Sequence, residues 1–268
     1  MSSTGKLRLV DGLVYGSMAP LCLLVFWHFV ADRFSLPSIL SVLSAFGEMG
    51  QNGTFGQDIF ISSLRALTGF LIGFTAGVAV GVLTGRYRFL FILIGGSLLF
   101  LRWTPVLAIL PLTIRVGGLG ETPKIFLIAW GCFFVTWAYA HVALRRLDPQ
   151  IVWWCDSLDI SRFQRMTRIY LPAAAPAIIA AARVALSIAL IVVVAAEMTG
   201  TPDYGFFRGG LGYRIVRAID TNRLEMNVAC ILTLGVLGLA YDWLFLRFVR
   251  HILQPITGML LERDTRQE

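Results

Sequence analysis

The chain has 268 residues, of which 57% are hydrophobic and 15% are charged. Because soluble domains carry about 25% charged residues, the composition excludes a soluble globular protein and predicts an all-α integral membrane protein. The net charge of +7 does not indicate a nucleic-acid-binding protein, since the basic residues gather in loops between apolar stretches, as they do on the cytoplasmic side of membrane proteins.

Hydropathy predicts about six membrane spans of about 20 residues each. In chain order they cover residues 13–31, 61–85, 89–114, 125–144, 173–198 and 228–249. The first lacks a small-residue cleavage site after its apolar run, so we interpret it as a retained span rather than a signal peptide. The third is interrupted by Arg102, Pro105 and Pro111, which leaves open a short crossing, a bend or a re-entrant end.

Positive residues predict the orientation of these spans. If there are six spans, one side of the membrane carries Lys6, Arg8, Arg86, Arg88, the five arginines between 145 and 168, Arg250, Arg263 and Arg266. The loop between the fifth and sixth spans also holds four arginines, but acidic residues dilute them. We therefore predict that both termini and the segment 145–171 lie in the cytoplasm.

The second span contains a stripe of glycines at every fourth position. These are Gly69, Gly73, Gly77, Gly81 and Gly85. Such a pattern lets helix backbones approach closely in lipid, and we interpret it as an intrachain helix contact, with a subunit interface or a moving surface as the alternative. A four-residue step overshoots one helical turn by about 40°, so we expect that one straight partner helix does not cover all five glycines.

Three ionisable residues of the last two spans, Arg183, Glu197 and Asp242, stand out as candidates for a pathway, because charges are costly in the membrane. Arg183 and Glu197 are 14 residues apart in one span, about 21 Å along a helix, so they do not pair with each other. We expect Arg183 to reach the cytoplasmic interface and Asp242 to approach Arg247. For Glu197 we weigh a role in gating the outer mouth and a structural role about equally. For Arg183 we favour the structural role, with a role in the pathway as the alternative.

A polar segment between the fourth and fifth spans predicts a helix-turn-helix outside the lipid. Ser161 and Gln164 have the spacing of a capping box, so a helix begins there, and we expect Pro172 to end it. Residues 153–158 can form another helical piece, with Asp159 at the turn. Loops between spans are usually short, so we interpret this one as a docking surface for a soluble protein, with a merely solvated loop as the alternative.

Known catalytic and nucleotide-binding motifs do not occur in this sequence. The four cysteines and three histidines are scattered, without metal-ligand spacing or a disulfide framework. The phosphate-binding pattern Gly-x-x-x-x-Gly-Lys-Ser/Thr is missing. We therefore expect no catalytic residue, metal or cofactor on this chain, and the energy for any transport must come from a partner or a gradient.

The stretch from Asp156 to Pro176 resembles the cytoplasmic loop of permease subunits in binding-protein-dependent ABC importers of the nitrate, sulfonate and taurine group, which have the type I fold. Shorter matching segments are Leu36-Pro37-Ser38, Ser63-Leu64-Arg65, Leu101 to Pro105, Leu110-Pro111-Leu112, Gly117 to Ile125, Ala196-Glu197 and Gly210-Leu211-Gly212. They cover the chain from about residue 36 to 250. Their order and spacing against the spans make the match specific.

In that family the loop reads Glu-Ala-Ala, three residues, Gly, nine residues, Ile-x-Leu-Pro, and it places a coupling helix in a groove of the ATPase. Here Ile169 and Leu171 are in register, while residues 153–155 read Trp-Trp-Cys and Asp159 replaces the glycine. Asp tolerates the left-handed conformation of that glycine. The resemblance implies that the ATPase-coupling residues are Leu158, Asp159, Ile160, Ser161, Phe163 and Gln164.

The resemblance also implies the function and the partners of this chain. We expect a non-catalytic permease of the bacterial inner membrane that imports a small solute, for instance an anion such as sulfonate, taurine or nitrate. Two ATPase subunits would hold ATP and Mg, an extracytoplasmic binding protein would deliver substrate, and a second permease subunit would complete the path. The divergent loop leaves a heterodimer open, although we favour a homodimer.

Three regions are predicted on this basis. They are an N-terminal span with its extracytoplasmic connection (1–57), the transmembrane domain (58–250) and a cytoplasmic tail (251–268). An ion-coupled secondary transporter is the alternative, but it predicts inverted repeats with acidic residues at matching positions, which we do not find. An intramembrane enzyme would require a nucleophile, base or metal set.

Overall fold

The computed structural model describes Cys22, Trp27, Arg33 and residues 36–253, except Asn52, Leu119, Asp159 and 200–208. Apart from Cys22 and Trp27, the predicted first span lies outside the described residues, as does the tail after residue 253.

In this described part the chain is helical throughout, which confirms the predicted fold class. We number the helices α1 (Ile39–Gln51), α2 (Thr54–Arg86), α3 (Arg88–Arg102), α4 (Leu110–Gly117), α5 (Glu121–Arg145), α6 (Pro149–Ser157), α7 (Arg162–Glu197), α8 (Leu211–Asp220) and α9 (Leu224–Phe248). A 3-10 turn, Val106–Ile109, precedes α4, and a π turn, Val249–Leu253, extends α9.

Helices α2, α5, α7 and α9 are long and apolar enough to cross a membrane. The described residues hold four such helices, or five if the bent segment from α3 to α4 counts as one span. That segment turns by 95° between Arg102 and Val106, where Pro105 lacks the amide hydrogen that a continuing helix needs. The predicted third span is therefore interrupted where its sequence indicates.

Pro172 does not end the helix that begins at Arg162, so this prediction is wrong. A π turn, Met166–Tyr170, precedes the proline, and the amide of Leu171 donates to the carbonyl of Met166. Pro172 then lies in the first turn of the segment Leu171–Glu197, where its missing amide hydrogen removes no helical bond. As a result α7 runs from the polar loop to the far end of the membrane helices.

The glycine stripe of α2 packs against α5 along its whole length. A Cβ atom at Gly77 would lie 2.7 Å from the carbonyl oxygen of Phe133 and 2.8 Å from the Cβ of Thr136. The side chains of α5 that meet the five glycines are Ile128, Cys132, Thr136, Ala140 and Leu144. One helix, α5, covers all five glycines, because its own row of contacting side chains also steps by four residues. That a straight partner would not cover all five stays a prediction.

The apolar core lies where α2, α5 and α7 meet. Its buried side chains include Phe70, Leu127, Ile128, Ala185, Ala189 and Val193. Alanines on α7 allow the three helices to approach closely. Helix α1 packs separately on α8 and α9 through Ala45, Met49 and Ala229.

An exposed ion pair between Arg223 and Glu48, at 2.6 Å, joins α1 to the start of α9. The hydrogen bond from Arg223 holds the pKa of the Glu48 carboxyl below its ordinary value. The pair lies where α1 meets the corner between α8 and α9.

Candidate functional site

The polar loop forms the helix-turn-helix that its sequence predicts. Helix α6 is followed by a turn at Leu158, and the amide of Gln164 donates to the Oγ of Ser161 at 3.3 Å to cap α7. Nη2 of Arg165 donates to the carbonyl oxygens of Cys155 (3.0 Å) and Ile160 (3.2 Å). These bonds hold the two helical pieces together, so the loop has a defined surface.

This surface is apolar and exposed. Leu158 is 72% exposed and Phe163 is 77% exposed, and the neighbouring Trp153 and Trp154 are 68% and 59% exposed. Ile160 is half-buried, while Ser161 and Gln164 are exposed. Asp159 lies outside the described residues. We call the exposed residues of 153–164 the loop surface.

Sequence reasoning missed Trp153 and Trp154, which it treated only as a departure from the family motif. Two adjacent tryptophans in a polar segment are a signal in themselves, because tryptophan is enriched at the centres of protein interfaces. Phe163 also borders an apolar groove of about 800 Å³ between α2 and the start of α7.

A buried cluster of charges lies at the opposite end of the membrane helices. Nη1 of Arg65 donates to Glu197 at 2.8 Å, and its Nε and Nη2 donate to Glu121, each at 2.6 Å. Ser62 donates to the same Glu197 carboxylate at 2.8 Å. We call Ser62, Arg65, Glu121 and Glu197 the clamp cluster. It ties together α2, the first turn of α5 and the last turn of α7.

The start of α8 is fastened to the same cluster through backbone groups. The amide of Gly212 donates to Glu197 at 2.9 Å, and the carbonyl of Gly209 accepts from Arg65 at 2.8 Å. Gly210 has a φ of 125°, and a Cβ there would lie 2.5 Å from Cδ of Glu197. Only glycine therefore allows this close approach of backbone to carboxylate.

A second ion pair extends the clamp cluster. The amide of Gly210 donates to Asp58 at 2.9 Å, and Asp58 also pairs with Arg214 of α8. Glu197 is 3% exposed and is surrounded by donors, so its carboxylate is held as a link between helices. A gating role for Glu197 stays a prediction.

Sequence reasoning missed most of the clamp cluster. Arg65 appeared only as part of a family resemblance, although it is an arginine inside a predicted span and such residues are functional candidates. Glu121 and Ser62 gave no comparable signal, because they lie at span ends where polar residues are ordinary. In the described ranges, no three His, Cys, Asp or Glu side chains come close enough to hold a metal ion.

Arg183 pairs with Asp242 across α7 and α9. Nε of Arg183 lies 2.5 Å from Oδ1, and Nη2 lies 2.7 Å from Oδ2. The expected approach of Asp242 to Arg247 is wrong, since residues five apart are about 140° apart around a helix. The guanidinium of Arg247 lies instead 5.2 Å from the ring centre of Trp243.

Comparison with known proteins shows one consistent family. The profile described as "Binding-protein-dependent transport system inner membrane component" matches residues 69–254. A putative aliphatic sulfonates transport permease, SsuC of Bacillus subtilis, is 30% identical over 236 residues, which cover 86% of this chain and 83% of the relative. The nitrate import permease NrtB of Synechocystis is 26% identical over 245 residues, which cover 87% of this chain and 86% of the relative.

A solved structure shows the same fold. A chain of the MetNI methionine ABC transporter, in an inward-facing conformation, matches with a TM-score of 0.59 at 20% identity, covering 73% of this chain and 94% of that chain. At this identity the match concerns the fold alone. Together with the family profile and the relatives, it shows that the chain belongs to the inner-membrane components of binding-protein-dependent transport systems, as the permease subunit of an ABC importer.

Proposed function

We propose that this permease imports a small anion of the sulfonate or nitrate type and that the loop surface docks on a cytoplasmic ATPase. The names of the two relatives support the substrate class. The exposure of Leu158 and Phe163 is the observation that carries the docking assignment. Large apolar side chains that stay exposed on a rigid loop mark a contact for another protein.

The proposed orientation places the loop surface, both termini and the basic ends of the helices in the cytoplasm. The excess of arginine around residues 145–168 supports the cytoplasmic location of the loop surface. ATP and Mg are then held and hydrolysed by the partner ATPase rather than by this chain. Two copies of the permease form the path as a homodimer, and an extracytoplasmic binding protein delivers the anion at the end that carries the clamp cluster.

Helix α7 supplies a direct mechanical connection between the two ends. It begins in the loop surface at Arg162 and ends in the clamp cluster at Glu197. A helix of 36 residues is about 54 Å long. Movement of the ATPase against the loop surface would therefore be transmitted to the opposite side of the membrane by one element.

The double variant Leu158→Asp/Phe163→Asp tests the docking assignment. It removes two apolar anchors and introduces unpaired charges, which should cost on the order of 3 kcal/mol, or about a hundredfold in Kd for the ATPase. We expect the variant to insert and fold normally but to lose the co-purifying ATPase and the ATP hydrolysis stimulated by the binding protein.

Ile219→Asp is the matched control, because Ile219 is also an exposed apolar residue, 51% exposed, but lies on α8 at the other end. It should retain the ATPase. Full coupled hydrolysis in the double variant would reject the loop surface as the docking site. If no ATPase accompanied the unmodified chain, the proposed function itself would fail.

A further inference from the structure

The ion pair between Arg183 and Asp242 lies between the two ends of the membrane helices. Arg183 follows Arg168 of the loop by 15 residues and precedes Glu197 of the clamp cluster by 14, which is about 22 Å and 21 Å along α7. On α9, Asp242 lies closer to the loop end, 18 residues after Leu224 and 9 before His251. A hydrocarbon core about 30 Å thick that is centred between the ends of α7 encloses the pair.

This pair is open to the surroundings of the subunit. The side chains of Arg183 and Asp242 are 48% and 41% exposed. Charged groups in membranes face the interior of a bundle or a water-filled cavity, because hydrocarbon does not solvate them. Their exposed side therefore does not face lipid.

The face of α7 that carries Arg183 has mainly small side chains toward the loop surface. From residue 173 to 187 its exposed positions are Ala173, Pro176, Ala180, Arg183, Val184 and Ser187, and one turn further Ile191 is 70% exposed. Between Ala173 and Ser187 the small and polar side chains leave room beside α7 that bulky aliphatic side chains would fill, and this stretch ends at Ile191.

The guanidinium of Arg183 keeps one nitrogen available. Nε and Nη2 donate to Asp242, and among the described residues Nη1 has no hydrogen-bond acceptor. A guanidinium matches the geometry of oxoanions. Because Asp242 neutralises the pair, an anion at Nη1 would be held weakly, and weak binding suits a site that a solute must leave again.

We infer that this face of α7 lines a water-filled path and that Arg183 is a transit binding point for the oxoanion group of the substrate. The inference rests on the proposed import of a small anion and adds the residue that the anion meets within the membrane. Asp242 acts as a positioning residue, because it fixes two of the three guanidinium nitrogens and leaves the third without an acceptor among the described residues.

Thiol accessibility tests this inference in the complete permease in membrane vesicles. Ser187 lies one turn beyond Arg183 on the same face, and Ser187→Cys is placed in a chain whose four native cysteines are replaced by serine or alanine. The probe is methanethiosulfonate ethylsulfonate, which carries a sulfonate, and its trimethylammonium counterpart is the charge control. Val236→Cys, 65% exposed on α9 and about 120° around that helix from Asp242, is the position control.

We expect Ser187→Cys to react about tenfold faster than Val236→Cys with both reagents, because a thiol must ionise in water to react. Relative to its cationic counterpart, the sulfonate reagent should be favoured about threefold to tenfold by the nearby guanidinium. This preference should disappear in Arg183→Gln/Asp242→Asn. Added methanesulfonate should slow the sulfonate reagent at Ser187→Cys, whereas added choline should not.

Three results would overturn the inference. Equal rates at the two positions would place this face against lipid or a dry protein surface. A charge preference that the neutral double variant retains would remove Arg183 as the binding point. If the neutral double variant did not accumulate in the membrane, a methanesulfonate that failed to slow the sulfonate reagent at Ser187→Cys would also remove Arg183 as the binding point. None of these measurements involves an ATPase, so a failure of the proposed docking would be recognised separately.

Discussion

Replacing Arg65 with methionine leaves the Glu197 carboxylate buried without its charged partner. The side chain of Arg65 is 1% exposed and bridges Glu121 and Glu197. Removing one partner of a buried ion pair costs about 3–5 kcal/mol, because the remaining charge stays desolvated. At about 2–4 °C per kcal/mol for a chain of this size, we expect the Tm of the purified permease to fall by on the order of 10 °C.

A fluorogenic maleimide reads this unfolding in a Cys22→Ser background, because Cys22 is exposed whereas Cys132 and Cys230 are both 0% exposed in the folded chain. Arg223→Met is the matched control. It also removes an arginine from an ion pair with a glutamate, but that pair is 37% and 46% exposed, and exposed pairs contribute little to stability. Its Tm should hardly change.

The double variant Arg65→Met/Glu197→Gln distinguishes a charge effect from lost packing. It removes both charges of the buried pair, while Glu121 keeps Lys124 at 3.5 Å. Its loss of Tm should therefore be smaller than the sum of the two single losses. Equal losses for Arg65→Met and Arg223→Met would refute the reasoning, because the clamp cluster would then contribute no more than a surface pair.

Three further predictions concern the glycine stripe and the loop. Gly77→Leu should abolish folded protein, because its Cβ alone would lie 2.7 Å from the Phe133 carbonyl. Ala76→Leu, exposed on the same helix, should not, and equal yields by size-exclusion chromatography would contradict the packing. Asp159→Gly should be neutral or stabilising by about 1 kcal/mol, because the sequence predicts a left-handed turn there; a lower Tm or a lost ATPase would indicate a needed carboxylate. In a chain without native cysteines, Gln164→Cys should be labelled only from the cytoplasmic side, and external labelling of intact cells would reverse the topology.

Local features of the fold can be predicted from the sequence because neighbouring residues determine them. Apolar length indicates the membrane helices, and Pro105 marks the bend that follows Arg102. The Ser161 cap follows from spacing alone. Pro172 gives a wrong prediction because a proline disfavours a regular α-helix. The π turn before it shifts the backbone hydrogen bonds by one residue, so the helix continues through the proline.

Contacts between distant parts of the chain could not be predicted in the same way. Arg65 and Glu197 are 132 residues apart in sequence, and no periodicity relates them. A hydropathy profile shows that a charged residue lies in an apolar stretch, but it does not show which side chains surround that residue. The partner of the glycine stripe could not be predicted for a similar reason, since contact along all five glycines depends on the matching row of side chains that α5 presents.

Helix α7 carries two charged residues whose environments reverse the weight that sequence reasoning gave them. Glu197 was the stronger candidate for a transport role, yet its carboxylate is buried and accepts hydrogen bonds from Arg65, Ser62 and Gly212. A solute would have to displace these donors to reach it. Arg183 was expected to be structural, yet it is half-exposed between the two ends of α7 and has a nitrogen left for a ligand. In a membrane, where an unpaired charge is costly, a fully paired group links helices. A charge that is paired on one side and open on the other needs water or a solute to complete its solvation, and that requirement places it beside the path.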